Sequence, residues 1–339
     1  MLALPEPVLV PMRFSRMIIA VLLLISCLGF SGAQTSLNDL HIVPRERASA
    51  SAASIQSAGS ALHLIKTEAN LVLVPVSVTD GMERLVQGLG RDNFQIFEGR
   101  TPEEIRDFST EDAPVSVGII LDSSGSMADK LVRVREAVHQ FCDAANLQDE
   151  FFLIEFADEP HLAADFTLSS SEIESQLLFV HPKGRTALLD AIYMGLSKMK
   201  SAKYQKRALL IISDGGDNHS RYTPRDVKVV AKESDVMIYS IGTFDRYVPT
   251  VEEAQGPRLL SEIAEPTGGR AFVLGSAAEM PAVAHRIGTE LRMQYVLAYR
   301  PTEAHHDGKW HRIKVRMRLP AHIPYLQPHF RTGYYAASY

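Results

Sequence analysis

The sequence predicts an α/β fold, a doubly wound and mostly parallel sheet that is inserted in, or flanked by, a small β-sandwich. Two observations carry this prediction. In the middle of the chain, continuous apolar runs alternate with stretches in which apolar residues recur at helical spacing. Before and after that part, apolar residues recur with period two, which is typical of strands that bury one face.

The middle segment, residues 113–291, carries the alternation of strands and helices. Its apolar runs are VSVGIILD (115–122), FFLIEF (151–156), RALLIISD (207–214), VMIYSIG (236–242) and RAFVL (270–274). Apolar residues at helical spacing follow the first run at Leu131, Val134, Val138 and Phe141, and helical patterns recur over 188–199, from Thr223-Pro224, over 259–264 and over 277–291. Strands that alternate with helices of this length predict a parallel sheet with helices on its faces.

The flanking segments, residues 67–112 and 292–339, are predicted to form strands. In the first, LVLVPVSV (71–78) places valine at alternate positions, and Asp80-Gly81 supplies a turn. In the second, QYVLAYR (294–300) and WHRIKVRMRL (310–319) precede a closing stretch that ends in RTGYY. Neither group has enough strands for a stable two-layer core. We therefore expect the two groups to pair into one β-sandwich around the inserted α/β domain.

Residues 1–33 are predicted to be a signal peptide. The apolar run MIIAVLLLISCLGF (17–30) follows Arg13 and Arg16, and it is shorter than the ~20 residues that a membrane-spanning helix needs. Small residues at 31–33 precede Gln34, as a cleavage site requires. The sequence thus predicts an exported protein, periplasmic or extracellular, with no transmembrane segment in the mature chain.

Residues 34–66 are predicted to be a low-complexity tether, because SASAASIQSAGSA (49–61) has too little apolar bulk to pack. Cys27 leaves an alternative to soluble export. The residues LISC (24–27) resemble a bacterial lipobox, which would make Cys27 a lipid anchor and the chain a membrane-anchored lipoprotein. The other cysteine, Cys142, falls on a predicted helix, where we expect a small buried hydrophobe rather than a reactive thiol.

Composition narrows the classes of partner. The formal net charge is -5, and no block of like charges stands out along the chain. Phosphate binding requires a basic face, so the sequence argues against nucleic acid as a partner. The hydrophobic fraction of 46% is ordinary for a globular protein. Partners therefore have to be inferred from a local site.

Polar residues gather where the predicted parallel strands end, which is where such sheets carry their binding sites. The first strand runs into Asp122-Ser123-Ser124-Gly125-Ser126, a later loop holds Thr186, and RALLIIS ends at Asp214. Side chains at alternate positions of a tight turn can converge, and Gly125 lets that turn close. Carboxylates and hydroxyls without histidine or thiol form a hard oxygen-donor set, which favours Mg²⁺ or Mn²⁺ over zinc or copper.

The D-x-S-x-S pattern over 122–126 resembles the metal-ion-dependent adhesion site of von Willebrand factor type A domains. That family adds a threonine from a second loop and an aspartate from a third. The resemblance therefore implies the metal ligands Asp122, Ser124, Ser126, Thr186 and Asp214. It also implies that the serines ligate directly, that the carboxylates often act through water, and that the ion is Mg²⁺ or Mn²⁺ in preference to Ca²⁺. The strands around 113–291 and the Arg-x-Gly-Tyr ending resemble a group of exported bacterial proteins related to that family.

The resemblance implies a metal-ion-dependent, adhesion-type module at the cell envelope, which binds an exposed Asp or Glu of a protein partner through an open metal position. The alternative is a structural or assembly protein of the envelope, in which the metal only stabilises the loops. A serine hydrolase is less well supported, because Ser124 lacks the G-x-S-x-G context and an evident histidine. We therefore expect no enzymatic activity.

Three further polar groups have structural interpretations. Asp217 and Asn218 are expected to lie in a solvated loop rather than to support the metal site. The histidines at 305, 306 and 311 flank Asp307-Gly308, where a surface turn is preferred over a metal site. Trp310 is expected to open a strand at the core or rim of the sandwich.

Overall fold

The computed structural model describes residues 71–214, 216–244, 251–302, 307–320 and 325–336. The predicted signal peptide, the tether, Cys27, His305 and His306 lie outside the described residues. The strands are β1 (Val72–Thr79), β2 (Phe94–Glu98), β3 (Thr101–Glu103), β4 (Ile105–Ser109), β5 (Val115–Asp122), β6 (Glu150–Phe156), β7 (Pro160–Thr167), β8 (Lys206–Ser213), β9 (Met237–Thr243), β10 (Ala271–Leu274), β11 (Tyr295–Tyr299), β12 (Trp310–Met317), β13 (Gln327–Phe330) and β14 (Gly333–Tyr335). The α-helices are α1 (Leu131–Asp143), α2 (Ser170–Leu177), α3 (Leu188–Lys198), α4 (Pro224–Glu233), α5 (Val251–Ala264) and α6 (Met280–Arg292).

A six-stranded sheet forms the middle of the molecule, in the order β10-β9-β8-β5-β6-β7. All neighbouring strands are parallel except β7, which pairs antiparallel with β6. Every residue of the central strand β5 is buried, as its continuous apolar run predicts. Helices cover both faces, with α1, α2 and α6 packed on one side and α3, α4 and α5 on the other. The predicted α/β fold class is confirmed.

The edge strand β7 and the helix α2 have no counterpart among the sequence predictions. Most residues of β7 are partly or fully exposed, and Ala164 is its one buried residue, so apolar periodicity is weak there. Helix α2 is short, and its start depends on the side chain of Ser169, which accepts a hydrogen bond from the backbone N–H of Glu172. Helix α5 also begins earlier than the predicted 259–264, at Val251, with Pro257 inside it. Edges and caps of this kind carry little hydrophobic signal.

Two four-stranded antiparallel sheets form the sandwich, in the orders β13-β1-β11-β4 and β14-β12-β2-β3. Each sheet combines strands from before and after the α/β domain: β1 lies between β11 and β13, and β2 pairs with β12. The two inner faces share one apolar core, in which the ring of Phe94 contacts that of Tyr295 at a centroid distance of 5.1 Å. The sandwich is therefore formed by strands that precede and strands that follow the inserted α/β domain.

The sandwich joins the α/β domain at the amino ends of the parallel strands. The chain leaves β4 at Ser109 and enters β5 at Val115, and it returns from α6 directly into β11. A cavity of about 1050 Å³ lies at this junction, between the amino ends of β8 and β9 and the strands β1 and β14. The carboxyl ends of the parallel strands consequently lie at the opposite end of the domain from the sandwich.

Two smaller predictions are confirmed. Cys142 is a free cysteine of the core beside α6, where burial raises its thiol pKa to about 12, so it is a small hydrophobe at neutral pH. Trp310 is the first residue of β12, and its ring meets that of Tyr335 edge to face. In the described part of the chain, we find no helix with the length and apolar character needed to cross a membrane.

Candidate functional site

The candidate site lies at the carboxyl ends of β5 and β8, which are neighbours in the sheet. Strand β5 ends at Asp122, and Asp214 directly follows β8. A 3₁₀ turn over Gly125–Met127 folds the first loop back over the strand ends. Parallel pairing of β5 with β8 thus brings two carboxylates that are distant in sequence to one edge of the sheet.

Asp122 is fully buried at the bottom of the site. Its Oδ1 accepts a hydrogen bond of 2.9 Å from the backbone N–H of Ser124, and its Oδ2 accepts one of 2.6 Å from the Ser213 hydroxyl. Burial, with a smaller contribution from the nearby Asp214 charge, raises the pKa of this carboxyl to about 6 despite those hydrogen bonds. Asp122 is therefore a carboxylate whose charge is only partly compensated by neutral donors.

The side chains of Ser124, Ser126 and Asp214 form one hydrogen-bonded chain. The two serine Oγ atoms are 3.1 Å apart, and Ser126 donates to Asp214 Oδ1 at 2.9 Å. The ammonium group of Lys130 closes the chain at its far end, donating to Asp214 Oδ2 and to the carbonyl oxygen of Ser126, both at 2.7 Å. The structure thus brings together four of the five predicted ligand residues.

Thr186 lies in a second loop that is held against the first one by the backbone. The N–H of Gly125 donates to the carbonyl of Gly184 at 3.3 Å, and the N–H of Lys183 donates to the carbonyl of Ser123 at 2.9 Å. Thr186 is buried, and among the described residues the structure records no hydrogen bond from its hydroxyl to the other four predicted ligands. It is placed next to them by its loop.

Gly184 determines how closely the second loop can approach. Its φ is +80°, in the left-handed region, and a Cβ there would lie 2.4 Å from Oδ2 of Asp158. Asp158 uses its other oxygen, Oδ1, to accept a hydrogen bond of 3.0 Å from the backbone N–H of Arg185. The positive φ favours glycine here, and a Cβ would displace the Asp158 carboxylate, so Gly184 and Asp158 together set the path of the chain into Thr186.

The third loop is fastened to the second by residues for which the sequence suggested a solvated loop. Asn218 is exposed, as expected, but its amide oxygen accepts from the N–H of Thr186 and its own N–H donates to the Thr186 carbonyl, both at 3.0 Å. Asp217 accepts from the N–H of Leu189 at 3.3 Å. Both residues lie in a loop, as expected, and their side chains in addition hold the Thr186 loop in position.

Sequence reasoning also missed Lys130, Ser213 and Asp190. The sequence gives one weak indication of Lys130: it follows Ser126 by four residues, about one helical turn, and so can lie near the site. The buried carboxylate of Asp190 accepts from the backbone N–H groups of Arg221 and Tyr222, at 2.8 and 3.0 Å, which holds the end of the third loop. Nothing local in the sequence marks that contact, because it joins residues from two separate helix–loop segments.

The donor set fits a hard divalent cation. It consists of the carboxylates of Asp122 and Asp214 and the hydroxyls of Ser124, Ser126 and Thr186, all of them oxygen donors. Among the described residues, no group of three or more His, Cys, Asp or Glu side chains has an arrangement that could hold a metal ion, so any ion here would depend on the hydroxyls. Within the same residues no histidine contacts Ser124. At the sandwich, His311 lies against Glu98 and Asp307, each at 3.1 Å.

Comparison with known families finds one match. A family model described as von Willebrand factor type A domain matches residues 117–216, a range that begins in β5 and ends just after Asp214. No curated protein matches the chain.

Several solved structures resemble the chain. The PilB minor pilin from Streptococcus sanguinis is 13% identical with a TM-score of 0.45, and the match covers 55% of this chain and 63% of the pilin, less than two thirds of its length. BatB from Bacteroides thetaiotaomicron is 21% identical with a TM-score of 0.42, covering 52% and 98%. A von Willebrand factor type A protein from Catenulispora acidiphila is 11% identical with a TM-score of 0.46, covering 78% and 74%.

Proposed function

The chain carries a von Willebrand factor type A domain, and we propose that this domain is a metal-dependent protein-binding module that works at the cell envelope. Domains of this family are generally interaction modules rather than enzymes. In the proposal, Mg²⁺ or Mn²⁺ is held by Asp122, Ser124, Ser126, Thr186 and Asp214. The ion presents an open position to an exposed Asp or Glu of a partner protein.

The observation that carries the proposal is the charge balance of the site. Asp122 and Asp214 are buried side by side, and the only cation that pairs with either of them within the described residues is Lys130. Two carboxylates and one ammonium leave about one negative charge in a buried setting, which a divalent ion compensates. The serine hydroxyls lie between the carboxylates, where they supply further oxygen ligands.

The chain's own residues prepare the site for a partner. The backbone contacts among the three loops hold the loops together. The side-chain oxygens of the predicted ligands, Thr186 apart, are hydrogen-bonded to one another, to Ser213 and to Lys130, and those bonds would rearrange around an ion. When bound, Mg²⁺ would supply a positive centre that readily exchanges water for a carboxylate oxygen. A partner's Asp or Glu would then form a charge-assisted contact of defined geometry.

The export part of the proposal comes from the sequence alone. The apolar run over 17–30 and the cleavage-like residues that follow it favour a periplasmic or extracellular protein, with lipidation at Cys27 as the alternative.

A matched pair of peptides tests the proposal. An immobilised peptide with a single glutamate, and its glutamine counterpart, are presented to the purified chain in Mg²⁺ and in EDTA. We expect binding to the glutamate peptide in Mg²⁺ alone, and loss of that binding in Asp122→Ala and Thr186→Ala. Equal binding to both peptides, or equal binding in EDTA, would overturn the proposal. If Mg²⁺ raises the melting temperature without affecting any binding, the structural alternative is correct.

A further inference from the structure

One sheet face of the sandwich carries a line of cations that the metal site does not use. Strand β12 places Arg312, Lys314 and Arg316 at alternate positions, all exposed, while Ile313 and Val315 point into the core. Exposed Arg318 continues the same alternation just beyond the strand. The cations are thus spaced about 6.6 Å apart along one face, from the rise of an extended strand. We name these four residues the cationic strip.

Within the described part of the chain, the cationic strip lies beside aromatic rings and forms no ion pair. Phe97 on β2 is the cross-strand partner of Lys314, and the Arg316 guanidinium lies 4.9 Å from its ring centroid. Gln95 is the partner of Arg316. Within the described residues, no carboxylate forms an ion pair with any residue of the strip. In a chain of net charge -5, this strip is a local concentration of positive charge.

Aromatic residues with polar atoms lie at one end of the strip. Trp310 occupies the next outward position of β12, opposite Tyr335 on β14, and the two ring centroids are 5.1 Å apart. A Cβ at Gly333 would lie 2.5 Å from the indole of Trp310, so glycine at this position makes room for the ring. The ammonium of Lys232 on α4 is 6.0 Å from the Trp310 centroid. The positive surface therefore extends from the sandwich to the adjacent helix.

A shallow groove continues this surface along α4. It has a volume of about 610 Å³ and is lined by Arg225, Lys228, Lys232 and Tyr335, together with small and apolar residues of the helix. Lys228 is paired with Glu262, but Arg225 and Lys232 are exposed. The groove is open to solvent, so it suits contact with a broad surface better than the enclosure of a single small ligand.

We propose that the cationic strip, with Trp310 and Tyr335, docks on the surface of a phospholipid bilayer that contains anionic lipids. Evenly spaced cations on a flat sheet face match a surface on which negative charges are spread, and each cation near such a leaflet contributes independently. Tryptophan and tyrosine are the residues that favour the boundary between headgroups and acyl chains. Because the sandwich lies at the opposite end of the domain from Asp122 and Asp214, lipid contact leaves the metal site accessible.

The sequence favours a lipid surface over a nucleic acid as the occupant. The apolar run over 17–30 is predicted to direct the chain through a membrane into a compartment bounded by lipid, and lipidation at Cys27, the alternative, would hold the chain at that membrane. A single-stranded nucleic acid would also require successive bases to stack on aromatic rings beside the cations. Here Phe97 is covered by Arg316, and Trp310 and Tyr335 are packed against each other at one end.

Vesicle co-sedimentation tests this proposal on the purified chain without residues 1–33 and on the double variant Lys314→Gln/Arg316→Gln. The vesicles contain phosphatidylcholine alone or with phosphatidylglycerol. We expect binding only to the anionic vesicles, weakening with salt, and about 30-fold weaker binding by the double variant, since each lost cation removes roughly fivefold. The double variant Lys200→Gln/Lys203→Gln removes two exposed cations elsewhere and should bind like the wild type.

Three further measurements separate a loss of lipid binding from a loss of folding and from an effect of the metal site. Urea unfolding should give the same midpoint for both double variants and the wild type, because all four positions are exposed. Arg316→Lys keeps the charge and should retain vesicle binding. EDTA should leave vesicle binding unchanged, which separates this proposal from the metal-dependent one. Absence of binding to anionic vesicles, an equal loss in the control variant, or binding to a single-stranded oligonucleotide in place of vesicles would overturn it.

Discussion

Buried carboxylates occur at both ends of the α/β domain, but their partners differ. At the junction with the sandwich, Glu290 is fully buried, and it accepts hydrogen bonds from Arg270 at 3.2 Å and from the Tyr239 hydroxyl at 3.0 Å. Asp149, also buried, accepts from Arg292 at 2.6 Å and from the N–H of Val115 at 2.8 Å. Each of these two acids is paired with an arginine.

At the carboxyl ends of the strands, Lys130 pairs with Asp214, and Asp122 is bonded only to neutral donors. The two ends of the domain thus differ in whether each of these buried carboxylates has a cationic partner of its own. At the junction, each of these two carboxylates is neutralised by an arginine, whereas incomplete pairing at the strand ends leaves negative charge that the proposed cation would compensate. The four predictions that follow test this contrast, from the largest expected effect to the smallest.

Removing one acid from each end should change stability in opposite ways. Glu290→Ala removes the buried acid that pairs with Arg270 and leaves the exposed Glu83 as its acidic partner, so we expect a loss of about 3 kcal/mol in the free energy of unfolding. Asp122→Asn relieves the cost of a buried carboxylate and should leave stability in EDTA unchanged or raised. Urea unfolding in EDTA measures both. A comparable loss of stability in the two variants would contradict the contrast.

Gly184→Ala should destabilise the second loop, because it combines a positive φ with a clash against Asp158. We expect a loss of about 1–3 kcal/mol together with weaker Mg²⁺ binding. Gly99→Ala is the matched control, since Gly99 has a φ of +59° and nothing within 4 Å of its Cβ position. It should lose only about 1 kcal/mol and keep Mg²⁺ binding. Equal effects would show that the contact with Asp158 is unimportant.

His329 should make the sandwich sensitive to mild acid. Burial and the nearby Arg270 and Arg286 lower its pKa from 6.5 to about 4, and its Nε2 is 3.0 Å from the Thr79 hydroxyl. Between pH 6.5 and 4 this histidine is protonated in the unfolded chain and neutral in the folded chain. The free energy of unfolding should therefore fall as the pH drops from 6.5 to 4. Melting temperatures of wild type and His329→Gln over this range check it. The variant should show a smaller fall, and an identical profile would refute the role of His329.

Lys130→Met should give the smallest change of the four. It should strengthen Mg²⁺ binding, whereas Gly184→Ala should weaken it. The Lys130 ammonium partly neutralises Asp214, so its removal increases the negative charge available to a cation. We expect Mg²⁺ to bind several-fold more tightly, on the order of 1 kcal/mol in a partly solvated site. Lys203→Gln, an exposed change elsewhere, serves as the control. Weaker binding in Lys130→Met would show that Lys130 instead holds Asp214 in place for the metal.

The parts of the fold that could be predicted are those with a local hydrophobic signal. Strand β5 is buried on both faces, and this burial is visible as an uninterrupted apolar run. The alternating valines of β1 likewise indicate one buried face. The edge strand β7 has mostly exposed residues and therefore no such signal. Register and partner choice, such as β1 between β11 and β13, depend on contacts far apart in sequence.

The site shows the same limit. The D-x-S-x-S turn is readable because Asp122, Ser124 and Ser126 are close in sequence, and Asp214 follows a strong strand pattern. The contacts that position the loops are not readable in this way. Asn218 bonds to Thr186 and Asp190 to Arg221 only because the fold brings separate loops together. A polar residue in a loop gives no local sign of such a partner.

Calorimetric titration of Mg²⁺ into the purified chain tests the central claim most directly, with Asp122→Asn as the matched variant. We predict that the wild type binds one Mg²⁺ and that Asp122→Asn, whose fold is verified by urea unfolding, binds it more than about 100-fold more weakly. Absence of Mg²⁺ and Mn²⁺ binding to the wild type, or equal affinity in a folded Asp122→Asn, would contradict the account.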